Sequence, residues 1–147
     1  MVDDKDLKIL ELLKSNARLT TKQISKKTLL PITTVHNRIK KLENLGVIKN
    51  YSVVIDHRKI GKTISAYILM NINYIYLKEK NLTQHQLAQQ LSSHPFVDKI
   101  SMVTGETDMI LKVIVNDVSQ LDDFVTKYLR NIDGVQRTKT MLILNDF

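Results

Sequence analysis

In Pro31-Ile32-Thr33-Thr34-Val35-His36-Asn37-Arg38-Ile39-Lys40-Lys41-Leu42-Glu43-Asn44-Leu45-Gly46, apolar residues at Ile32, Val35, Ile39, Leu42 and Leu45 recur every three or four positions. That repeat predicts a helix over 32–45 with one buried face. Pro31 suits the approach to its first turn, and Gly46 is placed to end it in a left-handed conformation. Working outward, Thr20 with Gln23 three residues on forms a capping pair that opens a short second helix, which Leu29-Leu30-Pro31 closes. Before it, Leu7, Ile9, Leu10, Leu12 and Leu13 make a helical stripe that Asp3 or Asp4 can cap. Three helices with a tight second connection are a helix-turn-helix arrangement, and its last helix can enter the major groove of DNA.

Beyond Gly46 the period changes. Val47 to Ile55 is rich in Val, Ile and Tyr and reads as a strand or short ribbon, and the polar run from Asp56 to Lys62 reads as a hinge. Alternation from Ala66 to Tyr74 predicts a long strand with apolar residues on both faces. A helix over Leu82–Leu91, strands over Val97–Thr104 and Asp108–Val115, a helix from Val118 to Leu129 and a strand over Arg137–Leu144 follow. Strand, helix, strand, strand, helix, strand is the ferredoxin-like βαββαβ order. The expected class is therefore α+β. It comprises a helix-turn-helix (winged-helix-like) domain at 1–50, a strand and hinge linker at 51–62, and a ferredoxin-like domain at 63–147. Two helices cover one face of such a sheet, so the second apolar face calls for self-association as a homodimer.

Charge separates the two halves. Residues 1–62 hold 14 Lys/Arg against 6 Asp/Glu, whereas residues 63–147 hold 8 against 9. A basic front half fits a polyanionic partner, here double-stranded DNA; a basic solvated surface is the plain alternative. The chain has no cysteine, which excludes disulfides, thiolate metal sites and cysteine nucleophiles. The four histidines lack metal-ligand spacing, so neither metal nor cofactor is expected. The acidic start lacks the pattern of a secretory signal, and no apolar run approaches the roughly 18 residues of a membrane span. The expectation is a cytoplasmic, nucleoid-associated protein with no membrane partner.

The sequence resembles the Lrp/AsnC (feast/famine) family of prokaryotic transcription regulators. The resemblance rests on Asp4-Lys5-Asp6-Leu7-Lys8-Ile9-Leu10, on Arg38-Ile39-Lys40-Lys41-Leu42-Glu43 with Gly46-Val47-Ile48, and on Ile55-Asp56 with Ile60-Gly61. Thr104-Gly105-Glu106-Thr107-Asp108 and Ile132-Asp133-Gly134-Val135 extend it through the back half. It implies a DNA-binding module, a hinge, and a ferredoxin-like domain that dimerises and assembles further into octamers or other rings. It also implies an amino-acid effector bound near the glycine loop. One departure is Thr28, where the family usually carries a glycine in the turn before the third helix.

On the third helix, Thr33, Thr34, His36 and Asn37 are the candidates for base edges, since Asn can bond adenine bidentately. Arg38, Lys40 and Lys41 would meet phosphates, with a structural salt bridge an equal reading for Arg38. Thr20, Thr21, Lys22, Lys26 and Lys27 on the second helix fit contacts to the DNA backbone. For the effector, Asp108 would pair with an α-amino group while amides of the loop Thr104-Gly105-Glu106 receive a carboxylate, and Thr138 and Thr140 would line the same cavity. A tight turn at Gly105 and cross-strand packing at the threonines explain those residues equally well. The expected function is a sequence-specific DNA-binding transcription regulator responsive to an amino acid or similar molecule. An architectural DNA-coating protein is the alternative. A ferredoxin-like enzyme is a further one, although no phosphate loop, nucleophile elbow or HExxH helix supports it and no enzyme is expected.

Overall fold

A computed structural model describes residues 1–145. The chain divides into two units, residues 1–55 and the residues from 56 onward. In the first unit, α1 spans Asp4–Ser15, α2 Thr21–Thr28 and α3 Ile32–Asn44. Asp3 and Thr20 cap α1 and α2 through reciprocal boxes in which the third residue of the helix, Asp6 or Gln23, bonds back to the cap amide. Ile9, Leu13, Ile24 and Val35 form the core, with Leu12, Leu19, Leu30, Ile39 and Ile48 packed around them.

Two expectations for this unit need correction. Ile32 and Leu45, the first and last residues of the apolar stripe, are 48% and 55% exposed at the two ends of α3. Thr28, at the position where the family usually carries a glycine, ends α2 and donates its hydroxyl to the Ile24 carbonyl, and the left-handed residue is the next one, Leu29, with φ +57°. Val47 to Ile55 forms no strand. Its β-favouring residues pair with none of the described strands, and Tyr51, Val53, Val54 and Ile55 are exposed.

In the second unit a 3-10 turn at His57–Ile60 precedes β1 (Ile64–Ile72), α4 (Tyr74–Glu79), α5 (Gln84–Ser92), β2 (Val97–Met102), β3 (Met109–Val115), α6 (Val118–Asp123) and β4 (Val135–Leu142). The four strands form one antiparallel sheet in the order β2-β3-β1-β4. The whole is the mixed α+β architecture expected. The helix expected from Val118 to Leu129 is composite: α6 widens into a π turn at Phe124–Tyr128 and tightens into a 3-10 turn at Leu129–Asn131. The strand expected to run to Tyr74 stops at Ile72, because the Asn73 side chain accepts the Tyr76 amide and starts α4. The last strand begins at Val135 and ends at Leu142, earlier at both ends than expected.

Alternation in β1 decides what the sheet offers. Ala66, Ile68, Met70 and Ile72 are buried with Met109, Leu111, Val113 and Val115 of β3, against Leu77, Leu87, Leu91, Leu121, Phe124 and Leu129 from the helices. Tyr67, Leu69 and Asn71 point the other way. Gly134, at φ +92°, leads into β4 directly beneath α4, where an added Cβ would lie 2.7 Å from Leu77 Cδ2. Among the described residues no helix is long and apolar enough to cross a membrane.

Candidate nucleic-acid interface and effector groove

The burial of Val35 and Leu42 turns Thr33, His36, Asn37 and Lys40 to solvent, with Thr34 half-buried beside them. The base-contact residues expected from the sequence therefore share an accessible side of α3. On α2, Lys22, Lys26 and Lys27 are exposed. Thr20 is engaged in capping: its hydroxyl oxygen accepts the Gln23 amide at 3.2 Å and donates to Gln23 Oε1 at 3.1 Å. Thr21 follows in the first turn, half-buried.

Arg38 and Lys41 are held inside the module. Arg38 Nη1 donates to both Asp3 carboxylate oxygens at 2.7 Å and to Asp6 Oδ1 at 2.8 Å, while Lys41 Nζ donates to Asp6 Oδ2 at 2.7 Å. Of the two readings open for Arg38, the structural ion pair is the one formed. Lys41, grouped with the phosphate binders, shares that carboxylate. Asp6 is fully buried, and its carboxyl is held well below the usual carboxylate range, first by the Lys41 hydrogen bond and then by Arg38, against burial that pushes it up. The Arg38 hydrogen bond is also the main cause lowering Asp3. Nothing in the spacing of α3 announced this cluster; the signal lay in the three aspartates that open α1.

The effector residues expected from the sequence divide between the β2–β3 loop with its exit, at Thr104, Gly105, Glu106 and Asp108, and the other side of the sheet, at Thr138 and Thr140. Gly105 takes φ +115° in the β2–β3 loop, with Thr104 and Glu106 exposed beside it. Asp108 is fully engaged within the unit: Oδ2 accepts the Ile72 amide at 2.9 Å and Oδ1 accepts the Tyr74 hydroxyl at 2.9 Å, a pair of bonds that pins the β1–α4 junction. The Tyr74 hydroxyl is correspondingly pushed up, first by that bond. Thr138 and Thr140 face Met70 and Ile68 across the ladder, which puts them on the helix-covered side of the sheet.

On the other side lies an open groove of about 600 Å³ lined by Asn71, Glu106, Gln136 and Arg137. Arg137 is the direct ladder partner of Asn71, and the Asn71 amide donates to the Glu106 carbonyl at 2.5 Å. Asn71, Gln136 and Arg137 carry no motif in the sequence, and the register of β1 against β4 is what brings Arg137 to Asn71 and so to the glycine loop.

Residues 74–147 match the model of the Lrp/AsnC ligand binding domain, and residues 2–49 match that of a winged helix-turn-helix DNA-binding domain. An uncharacterized HTH-type transcriptional regulator from Pyrococcus horikoshii is 36% identical over 142 residues, covering 97% of this chain and 92% of that protein. The HTH-type transcriptional regulator FL11 from Pyrococcus furiosus is 33% identical over 144 residues, covering 98% and 90%. A transcriptional regulator from Neisseria meningitidis, crystallised as a complex with L-Met, superimposes with a TM-score of 0.89 at 26% identity, covering 99% of this chain and 92% of that one.

Proposed function

From the premise that this chain belongs to the Lrp/AsnC family of helix-turn-helix transcription regulators, we propose that it reads a specific DNA site through α3 and that an amino acid in the Asn71–Arg137 groove changes that binding. The observation that carries the reading is the division of labour on α3. Val35 and Leu42 anchor it, Arg38 and Lys41 fasten it to α1, and Thr33, His36 and Asn37 are left to meet base edges. Lys40 with Lys22, Lys26 and Lys27 supplies phosphate contacts that set register without reading sequence.

The groove has the chemistry of a zwitterion site. Arg137 offers a guanidinium to a carboxylate, and the Glu106 side chain offers a counter-charge to an ammonium group. The complex of the Neisseria regulator with L-Met supports an amino acid as the ligand class. Selection of bound fragments from random DNA, with and without a mixture of amino acids, tests both parts. A consensus whose occupancy shifts with one amino acid supports the reading. Binding without sequence preference would return the chain to the DNA-coating alternative.

A further inference from the structure

We infer that Asp3 is an electrostatic brake on DNA binding: its exposed carboxylate holds Arg38 and keeps that guanidinium from the DNA backbone. The inference rests on the reading of α3 as the DNA-facing helix. Thr34, Asn37, Arg38 and Lys41 follow one another at helical spacing, and together with Asp3 they line a single open groove of about 320 Å³. The carboxylate of Asp3 thus opens onto the surface where α3 would meet DNA.

The two acids that share Arg38 differ in what can replace them. Asp6 is fully buried and is committed three ways, to Arg38, to Lys41 and to the Asp3 amide, the last at 3.1 Å. A phosphate cannot reach it. The Asp3 side chain is 51% exposed, and its carboxylate caps α1 by accepting the Asp6 amide at 2.9 Å. Its second role, holding Arg38, is one that a DNA phosphate performs equally well, since both are oxyanions that accept charge-assisted bonds from a guanidinium. In the free protein the local charge is balanced, two carboxylates against Arg38 and Lys41, inside an otherwise basic module. A phosphate approaching this groove meets a carboxylate first and has to displace it to gain Arg38.

The cap and the brake can be separated, because asparagine caps a helix about as well as aspartate but carries no charge. Asp3→Asn, Asp3→Ala, Arg38→Gln and the double variant Asp3→Asn/Arg38→Gln are made in the full chain. Binding to a fluorescein-labelled random-sequence duplex is measured over a salt series, with thermal melts alongside. Asp3→Asn is expected to bind more tightly at low salt and to steepen the log–log salt dependence by about 0.9, the increment for one additional phosphate contact. The steepening should vanish in the Arg38→Gln background.

An unchanged slope for Asp3→Asn overturns the inference while leaving the DNA interface standing, and so does a steepening that persists without Arg38. A gain seen with Asp3→Ala and absent from Asp3→Asn assigns the effect to fraying of α1 and overturns it as well. Failure of the wild-type protein to bind any duplex overturns the DNA-facing reading of α3, and the brake falls with it.

Discussion

Asn37 and Lys40 stand three residues apart on the same exposed side of α3, and their chemistry separates what each can do there. An amide that donates and accepts in one plane matches the edge of adenine, whereas an ammonium on a flexible stem is a point charge suited to phosphate. Asn37→Ala is expected to lose about 1–3 kcal/mol on the preferred site and to relax the choice of base at one position, with little change on scrambled DNA. Lys40→Ala is expected to weaken both duplexes alike and to make the salt dependence shallower by about one unit of slope. Titration of each variant against cognate and scrambled duplexes checks this, and equal losses on both for Asn37→Ala would move that residue to the backbone-contacting group. Arg38 shows why side-chain type and helical spacing alone cannot assign such roles. Its position fits a phosphate contact, yet its partner Asp6 lies 32 residues away, and only tertiary structure brings the two together.

Local signals were sufficient where a helix or strand is specified by its own residues. The capping box at Thr20, the stripe of α3 and the alternation of β1 each announce themselves from residues close in sequence. Other elements were hidden by residues whose preferences point elsewhere. Tyr74-Ile75-Tyr76 favours a strand, but Asn73 caps α4 and the Tyr74 hydroxyl is tied to Asp108. Val47 to Ile55 has strand composition but pairs with none of the described strands, so composition alone misled there. The groove was illegible for a third reason: Asn71 and Arg137 meet only through a ladder register.

In the connection before β2, His94 packs its ring 4.8 Å from Phe96, 4.7 Å from Phe124 and 4.4 Å from Tyr128, and its Nδ1 accepts the Phe96 amide. Burial pushes its pKa down. The unfolded chain, with histidine near its ordinary value of about 6.5, then binds a proton that the folded state resists. His94 therefore favours the folded state least under acidic conditions. The stability of the second unit should fall as pH drops through and below about 6.5, and His94→Phe should flatten that part of the profile. Thermal melts between neutral and mildly acidic pH check it; an identical fall in the variant would assign the pH dependence to other groups.

The expectation of self-association rests on the side of the sheet that the helices leave alone. Along the register, Met141 stands opposite Tyr67 and Leu69 opposite Ile110, and all four point away from the helix-packed core. Lys139 pairs with Leu69 and Arg137 with Asn71 on the same surface, so an apolar centre is flanked by cations and polar groups. A centre of that kind with a polar surround is the composition of a protein–protein interface. A second copy related by a two-fold axis would present the same patch to itself. Dimerisation through this face would also pair two helix-turn-helix modules, and a two-fold protein reads a pseudo-palindrome with half-sites about 10 bp apart or a multiple of that. Leu69→Glu places a charge at the centre of the patch while leaving the opposite, helix-covered face of β1 untouched. The wild-type chain is expected to sediment as a dimer or a multiple of it and to give footprints with helical-turn periodicity. Leu69→Glu is expected to sediment as a folded monomer, to keep its circular-dichroism spectrum, and to bind scrambled DNA with the weak affinity of one module while the paired footprint disappears. A dimeric Leu69→Glu would place the interface on another surface, and a paired footprint retained by a monomeric variant would separate operator recognition from dimerisation.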